Sequence, residues 1–337
     1  MQVLGIETSC DECSAAVVTD GRILLSNIVA SQIEIHKPYM GVVPEIASRT
    51  HVKWINSVVK KALDEAGVSF DEINGIAVTN KPGLSGSLLT GLSFAKGLSF
   101  ASGKPFIAVD HIFAHIYASH LENEINYPYL GLLVSGGHTI IAIINSYEDM
   151  QILGTTIDDA CGEAFDKVAK FYNLGYPGGV VIDKLSKLGD PNAFSFPDPS
   201  LHKGEHQYDI SYSGLKTAVI NQLDQFHNKG YEKTSENIAA SFQKTAINML
   251  LKRLLKAIEN TGIKTVVTGG GVAANSYLRQ SLSELKGITV YSPSLKLCGD
   301  NGAMIAGLGY HYLKNNIKSG LETTVLSRVP VFRKTYP

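Results

Sequence analysis

The chain carries a weak internal repeat. "VLGIETSCDECSAAVVTDGRILL" (3–25) and "LGLLVSGGHTIIAIINSYEDMQIL" (130–153) follow one plan: apolar strand, short polar turn, strand, tight turn, strand. Two copies of one unit in 337 residues constrain the fold more than composition does, because they call for two related lobes. The first strand of each copy is apolar enough to be central in its sheet, which leaves the turns at 7–11 and 135–138 at a sheet end. Two such units facing each other make a cleft with a small-residue turn on each wall, and backbone N–H groups in such turns suit phosphate oxygens. A third junction, "TVVTGGGVAANSYLR", sets Gly269, Gly270 and Gly271 between a strand and a helix. Glycine allows close approach and a helix N-terminus favours anions. Each junction alone is an ordinary turn; three in one chain favour a nucleotide cleft. A bulky side chain at Gly270 is then expected to block the nucleotide and spare the fold.

Helical and strand patterns alternate elsewhere too, which makes the chain an α/β protein. "HVKWINSVVKKALDEAG" (51–67) has helical spacing and a stop at Gly67, and 234–262 starts on Thr/Ser caps and ends at Gly262. Residues 191–212 read as a long loop and "RVPVFRKTYP" as a tail. With 44% apolar and 18% charged residues the composition is globular. No stretch approaches the ~18 apolar residues of a membrane span, and the start lacks the pattern of a signal peptide. The four cysteines are too few for a disulfide scaffold, and Cys10 and Cys13 form a C-x-x-C without a second pair or a nearby His. They read as ordinary thiols in a reduced cytosol. The net charge of −1 gives no bulk attraction to nucleic acid, so an RNA contact needs a local patch or one shared with a partner.

In "DHIFAHIYASHLEN" (110–123), His111 and His115 stand four apart in an apolar segment that reads as a buried helix. They share a face, and buried imidazoles need partners. Two readings fit: core histidines hydrogen-bonded to neighbours, or half of a metal site. The zinc-protease motif is excluded, because Ile112 stands where its glutamate would be.

At this point the motifs "GIETSCDE", "GVVPEIASRTH", "PGLSGSL", "LLVSGGHT", "DDACGEAFDKVAK", "YPGG", "SYSGLKTA", "TGGGVAANSYLR" and "DNGAMIA" matter together. In this order they resemble the tRNA adenosine threonylcarbamoyltransferases of TsaD type, former glycoproteases of the actin, sugar-kinase and heat-shock ATPase fold. The resemblance runs from Val3 to about Gly309. It implies two duplicated lobes with a cleft between them: 1–118, completed by a helix at 299–325, and 119–298. It departs from the family at Cys13, Lys81, Phe113, Ala114 and Val180, none of which is a proposed ligand.

The resemblance implies that His111, His115 and Asp300 hold one divalent metal ion, described in the family as iron, with zinc also compatible. A helix N-cap is the plain alternative for Asp300. It assigns nucleotide or substrate binding to Leu133, Val134, Ser135, Gly136, Gly137, Asp166, Gly179, Asp183 and Asn275. Asp11 and Glu12, on the first turn, are the carboxylates best placed for base or positioning work. The implied reaction moves a threonylcarbamoyl group from its adenylate to the exocyclic amine of the adenosine next to the anticodon, releasing AMP, in cytoplasmic tRNAs reading codons that begin with A. The implied partners are tRNA, a shorter paralogue of the same fold and a small P-loop ATPase, with no membrane. Trp54 and Val58 are candidates for the paralogue contact, and core packing is their other reading. An ATP-driven binding module or chaperone-like ATPase of the same fold is the rival function, and neither it nor a small-molecule kinase needs imidazoles on its ion.

Overall fold

The structure is a computed structural model that describes residues 1–199 and 206–332. The remainder of the expected loop (200–205) and tail (333–337) lies outside the described residues. Strands β1 (Gln2–Glu7), β2 (Glu12–Thr19) and β3 (Ile23–Ser31) form an antiparallel meander. Asp20 and Gly21 both take positive φ between β2 and β3, as a tight hairpin turn requires. There follow α1 (Ile33–His36), α2 (Pro44–Ala66), β4 (Gly75–Lys81), α3 (Ser85–Ser102), β5 (Phe106–Asp110) and α4 (His111–Tyr117). The sheet order is β3-β2-β1-β4-β5, with β4 and β5 parallel to β1.

The same plan then repeats. Strands β6 (Tyr129–Val134), β7 (Thr139–Ile144) and β8 (Met150–Thr155) form a second meander. Helices α5 (Cys161–Phe171), α6 (Gly178–Ser186), α7 (Tyr212–Asn221) and α8 (Ser235–Thr261) precede β9 (Thr265–Gly269), α9 (Ser276–Ser283) and β10 (Thr289–Tyr291). The order β8-β7-β6-β9-β10 matches the first sheet strand for strand. The chain closes with α10 (Leu295–Cys298) and α11 (Gly302–Lys314). By contacts it divides into Met1–Ile125 with Pro293–Val329, and Asn126–Ser292 with the short turn Pro330–Phe332.

Three helices differ in length from the sequence reading: the one expected over 299–325 is α11, only Gly302–Lys314, because it is capped by Asn301 and ends at Asn315. Helix α2 starts at Pro44, seven residues before the expected start at 51, because proline's fixed φ suits the first turn. It stops at Gly67, whose φ of +67° gives the left-handed cap. Helix α4 ends at Tyr117 and tightens into a 3-10 turn over Ala118–Leu121, so the helix expected through 123 is shorter. Trp54 packs against the first core and Val58 lies within it, beside Leu4, Ile6, Val78 and Leu92. Full burial of such side chains contributes roughly 2 kcal/mol each. No helix among the described residues is long and apolar enough to cross a membrane.

One close approach positions the C-terminal residues. A Cβ on Gly5 would meet Gly302 O at 2.2 Å, and one on Gly302 would meet Ala16 N at 2.7 Å. Gly302 N also donates to Ser14 Oγ at 2.8 Å. The N-terminus of α11 therefore lies directly on β1 and β2, and brings residue 300 to the turn between them.

Candidate metal centre

The C-terminal ends of the parallel strands β1, β4 and β5 carry Glu7, Lys81 and Asp110, the edge where open α/β sheets bind ligands. Asp110 caps α4 by accepting from Ile112 N at 2.8 Å and Phe113 N at 3.3 Å, which sets His111 and His115 on the first turns. At α11 the cap is Asn301, whose Oδ1 accepts from Met304 N at 3.0 Å. The cap role considered for Asp300 is thus filled by its neighbour. Asp300 turns to the histidines instead: its Oδ1 lies 2.9 Å from His115 Nε2 and 3.7 Å from His111 Nε2. Ligand atoms of the three residues lie within 4.8 Å of one another, a group that could hold a metal ion.

The surroundings fit that use. His111 Nδ1 lies 3.1 Å from Glu7 Oε2 and 3.2 Å from Ser9 Oγ. A carboxylate on Nδ1–H leaves the Nε2 lone pair for an ion and orients the ring. Glu7 is fully buried and is itself held, accepting from Ser9 N and Thr79 Oγ1. Burial opposes the charge on Asp300, yet His111 and His115 outweigh it and hold the carboxyl well below the usual range. Burial likewise opposes protonation of His111, while Asp300 and Glu7 bring its pKa up to about 9. Burial and the His111 charge keep His115 below its ordinary value. The donor set of two imidazoles and a carboxylate suits a transition metal with open positions.

Sequence reasoning missed Glu7 and Ser9 as supports of His111. The available clue was a carboxylate ending a strand that is otherwise apolar. Asp11 is 8% exposed. Glu12 opens β2 and accepts from Ser31 Oγ at 3.4 Å. Burial, then Asp300 and Asp11, push the Glu12 carboxyl well above its usual range, so Glu12 sits in the electrostatic field of both.

The residues assigned to the nucleotide lie in the second unit. Leu133 and Val134 end β6, with Leu133 paired to Gly269 of β9, so the 135–137 turn and the 269–271 junction are neighbours at one sheet end. Ser135 closes its turn with His138, N to O at 2.8 Å and Oγ accepting from His138 N at 3.1 Å. A Cβ on Gly136, Gly137, Gly179 or Gly271 would meet nothing within 4 Å, so four glycines present open backbone. Gly270 does not. Its φ is +90° and its Cβ would meet Val134 O at 2.4 Å, so substitution there would strike the protein's own backbone, against the expectation that the fold would be spared.

The polar members are already engaged. Asp166 accepts from Gly178 N at 2.8 Å at the start of α6. Asp183 accepts from Ser276 N and Oγ at 3.1 and 2.7 Å at the start of α9. Asn275 caps α9 by accepting from Leu278 N at 3.0 Å, and its Nδ2 donates to Gln243 Oε1 at 2.7 Å. These three side chains hold helix N-termini in place around the glycines.

A family model described as TsaD, tRNA N6-adenosine threonylcarbamoyltransferase, matches residues 23–307. The chain belongs to that family. A family member named tRNA N6-adenosine threonylcarbamoyltransferase from Treponema denticola is 65% identical over 334 residues, 99% of each chain. One from Treponema pallidum (strain Nichols) is 54% identical over 334 residues, 99% of this chain and 95% of the relative. Among solved structures, HypF in its phosphate- and nucleotide-bound form aligns with a TM-score of 0.61 at 16% identity, over 94% of this chain and 56% of that one. Component A of the Acidaminococcus fermentans (R)-2-hydroxyglutaryl-CoA dehydratase aligns with a TM-score of 0.54 at 16% identity, over 93% and 99%. At these identities the likeness is one of fold, and it is the duplicated α/β fold expected for the family.

Proposed function

We propose that this protein transfers the threonylcarbamoyl group from threonylcarbamoyl-adenylate to the exocyclic amine of the adenosine next to the anticodon, in tRNAs reading codons that begin with A. What carries the reading is family membership over essentially the whole chain, at 65% identity to a relative of that name. The amine nitrogen attacks the carbonyl carbon, the bond to the phosphate oxygen breaks, and its electrons leave with AMP. That amine is a weak nucleophile, since its lone pair is delocalised into the ring, so the site must orient it and accept its proton.

His111, His115 and Asp300 would hold one divalent ion, iron by the family resemblance with zinc also compatible, since imidazole and carboxylate suit either better than magnesium. When bound, such an ion supplies Lewis-acid stabilisation of negative charge on oxygen. Glu7 and Ser9 orient His111. Asp11 and Glu12, on the same turn, are assigned to positioning the amine and taking its proton. The adenylate is assigned to Leu133, Val134, Ser135, Gly136, Gly137, Gly179 and Gly271, with Asp166, Asp183 and Asn275 framing the backbone it meets.

The charge balance of 30 basic to 31 acidic residues disfavours strong tRNA binding by this chain alone, because phosphate contacts supply most such affinity. A shorter paralogue and a small P-loop ATPase complete the proposed system, in the cytoplasm. Since Val58 is core and Trp54 packs on it, the paralogue contact would use exposed apolar side chains such as Val52, Leu89 and Phe100 of α2 and α3.

The test is incubation with unmodified tRNA and the adenylate, then nucleoside mass spectrometry. Threonylcarbamoyl-adenosine formed in step with AMP is expected, with faster turnover when both partners are present. No modified nucleoside under any of these conditions would overturn the reading.

A further inference from the structure

Three consecutive backbone carbonyls, on the turn that carries Asp11 and Glu12, are each held from a different part of the chain. Ser9 O accepts from Leu84 N at 2.7 Å, Cys10 O lies 2.9 Å from His51 Nε2, and Asp11 O accepts from Gln32 N at 3.1 Å. The first and third donors are backbone groups that almost any residue could supply. The middle one is a side chain, so the identity of residue 51 decides whether Cys10 O is held.

His51 is built for that bond alone. It is fully buried on α2. Burial lowers its pKa below the ordinary value, so the ring is neutral and carries one N–H. Cys10 O accepts only, which places that hydrogen on Nε2. Gln32, also fully buried, packs beside the ring, its amide nitrogen 3.5 Å from His51 Nε2 and donating to Ala47 O at 3.4 Å. His51 Nδ1, Gln32 Oε1 and the Nε2 of nearby buried His36 have no hydrogen-bond partner among the described residues. Buried polar atoms left this way cost roughly 1–3 kcal/mol each, whereas apolar side chains could fill the same space. A polar cluster kept at that cost, touching the chemical turn, calls for a role other than packing.

The geometry points to His51 as a positioning residue: its Nε2–H on Cys10 O, with the Gln32 amide packed beside the ring, fixes the turn that presents Asp11 and Glu12. It acts through the backbone and touches no reactant. The inference rests on the proposed transfer reaction for its kinetic consequence, but the ordering of the turn can be read separately. Cys10 is half-buried while Cys13, Cys161 and Cys298 are buried, so alkylation of Cys10, followed by peptide mass spectrometry, reports on how firmly the turn is held.

The test compares His51→Gln, whose amide nitrogen can take the place of the ring Nε2, with His51→Asn, which is too short to reach. For His51→Asn we expect kcat to fall about tenfold or more with KM for tRNA within about twofold. Cys10 alkylation should be several-fold faster and metal content unchanged. His51→Gln should restore both kcat and slow alkylation. Gln32→Ala should shift both readouts in the same direction by less, and it serves if the Asn variant does not fold. Unchanged kcat and alkylation in folded His51→Asn or Gln32→Ala would overturn the inference. So would a loss that His51→Gln shares, or one that follows metal content. If the unaltered protein transfers nothing, the functional reading fails, while the alkylation result still decides whether His51 holds the turn.

Discussion

Glu7 Oε2 lies 3.1 Å from Nδ1 of His111, a carboxylate from the first strand setting the tautomer of an imidazole from the fourth helix. Second partners of this kind raise ligand basicity and hold the ring in place, and losing one typically weakens metal affinity about 10- to 100-fold. Glu7→Gln should therefore bind iron or zinc more weakly by that factor while keeping all three ligands. Metal titration followed by competition with a chromophoric chelator measures it. An unchanged affinity would show that His111 needs no orientation from Glu7.

Removal of a ligand should act more sharply than removal of its support. His115→Ala and Asp300→Asn should each leave the protein with little bound metal by elemental analysis. Chelation of the unaltered protein should lower its melting temperature, because an ion that binds only the folded state stabilises it by mass action. Iron or zinc should restore the loss and magnesium should not.

Glycines 270 and 271 are adjacent but should respond in opposite ways. Gly270→Ala forces a side chain into a positive φ and against Val134 O, at a cost on the order of 1–3 kcal/mol. It should show as a lowered urea midpoint whether or not nucleotide is present. Gly271→Val has open space, so it should leave the midpoint within error and weaken AMP or ATP binding by calorimetry. Unchanged affinity in that folded variant would place the nucleotide elsewhere.

His120 should make the fold sensitive to acid. Burial, then the charges of His311 and Arg22, lower its pKa to about 4, and its ring stacks on Tyr117 at 5.1 Å. Between the unfolded value of 6.5 and about 4, the unfolded chain holds the proton and the folded one does not. The stabilisation is thus complete above 6.5 and is lost as pH falls towards 4, by ~2 kcal/mol at pH 5. His120→Phe keeps the stack and removes the proton, so its stability should fall less between pH 7 and pH 5 in denaturant titrations.

Much of this protein is written locally. The repeated strand–turn–strand plan is legible because central strands must be apolar and their turns must be small, and both sheets have the same order. The ends of α2 and α8 are legible because Gly67 and Gly262 supply left-handed caps. The likeness to a family gathered His111, His115 and Asp300, since motif order survives where distance in sequence hides contact. What no local pattern contains is which distant groups share a hydrogen bond. Glu7 lies 104 residues from the ring it orients, and His51 lies 41 residues from the carbonyl it holds. Whether a side chain at Gly270 would meet ligand or the protein's own backbone depended on the pairing of β6 with β9. Asn301, and not Asp300, caps α11, a choice between neighbours that only the packing of that helix on β1 could make. Periodicity and turn chemistry depend on neighbours in sequence and so determined the elements; partners of buried polar groups depend on neighbours in space and were decided by the tertiary structure.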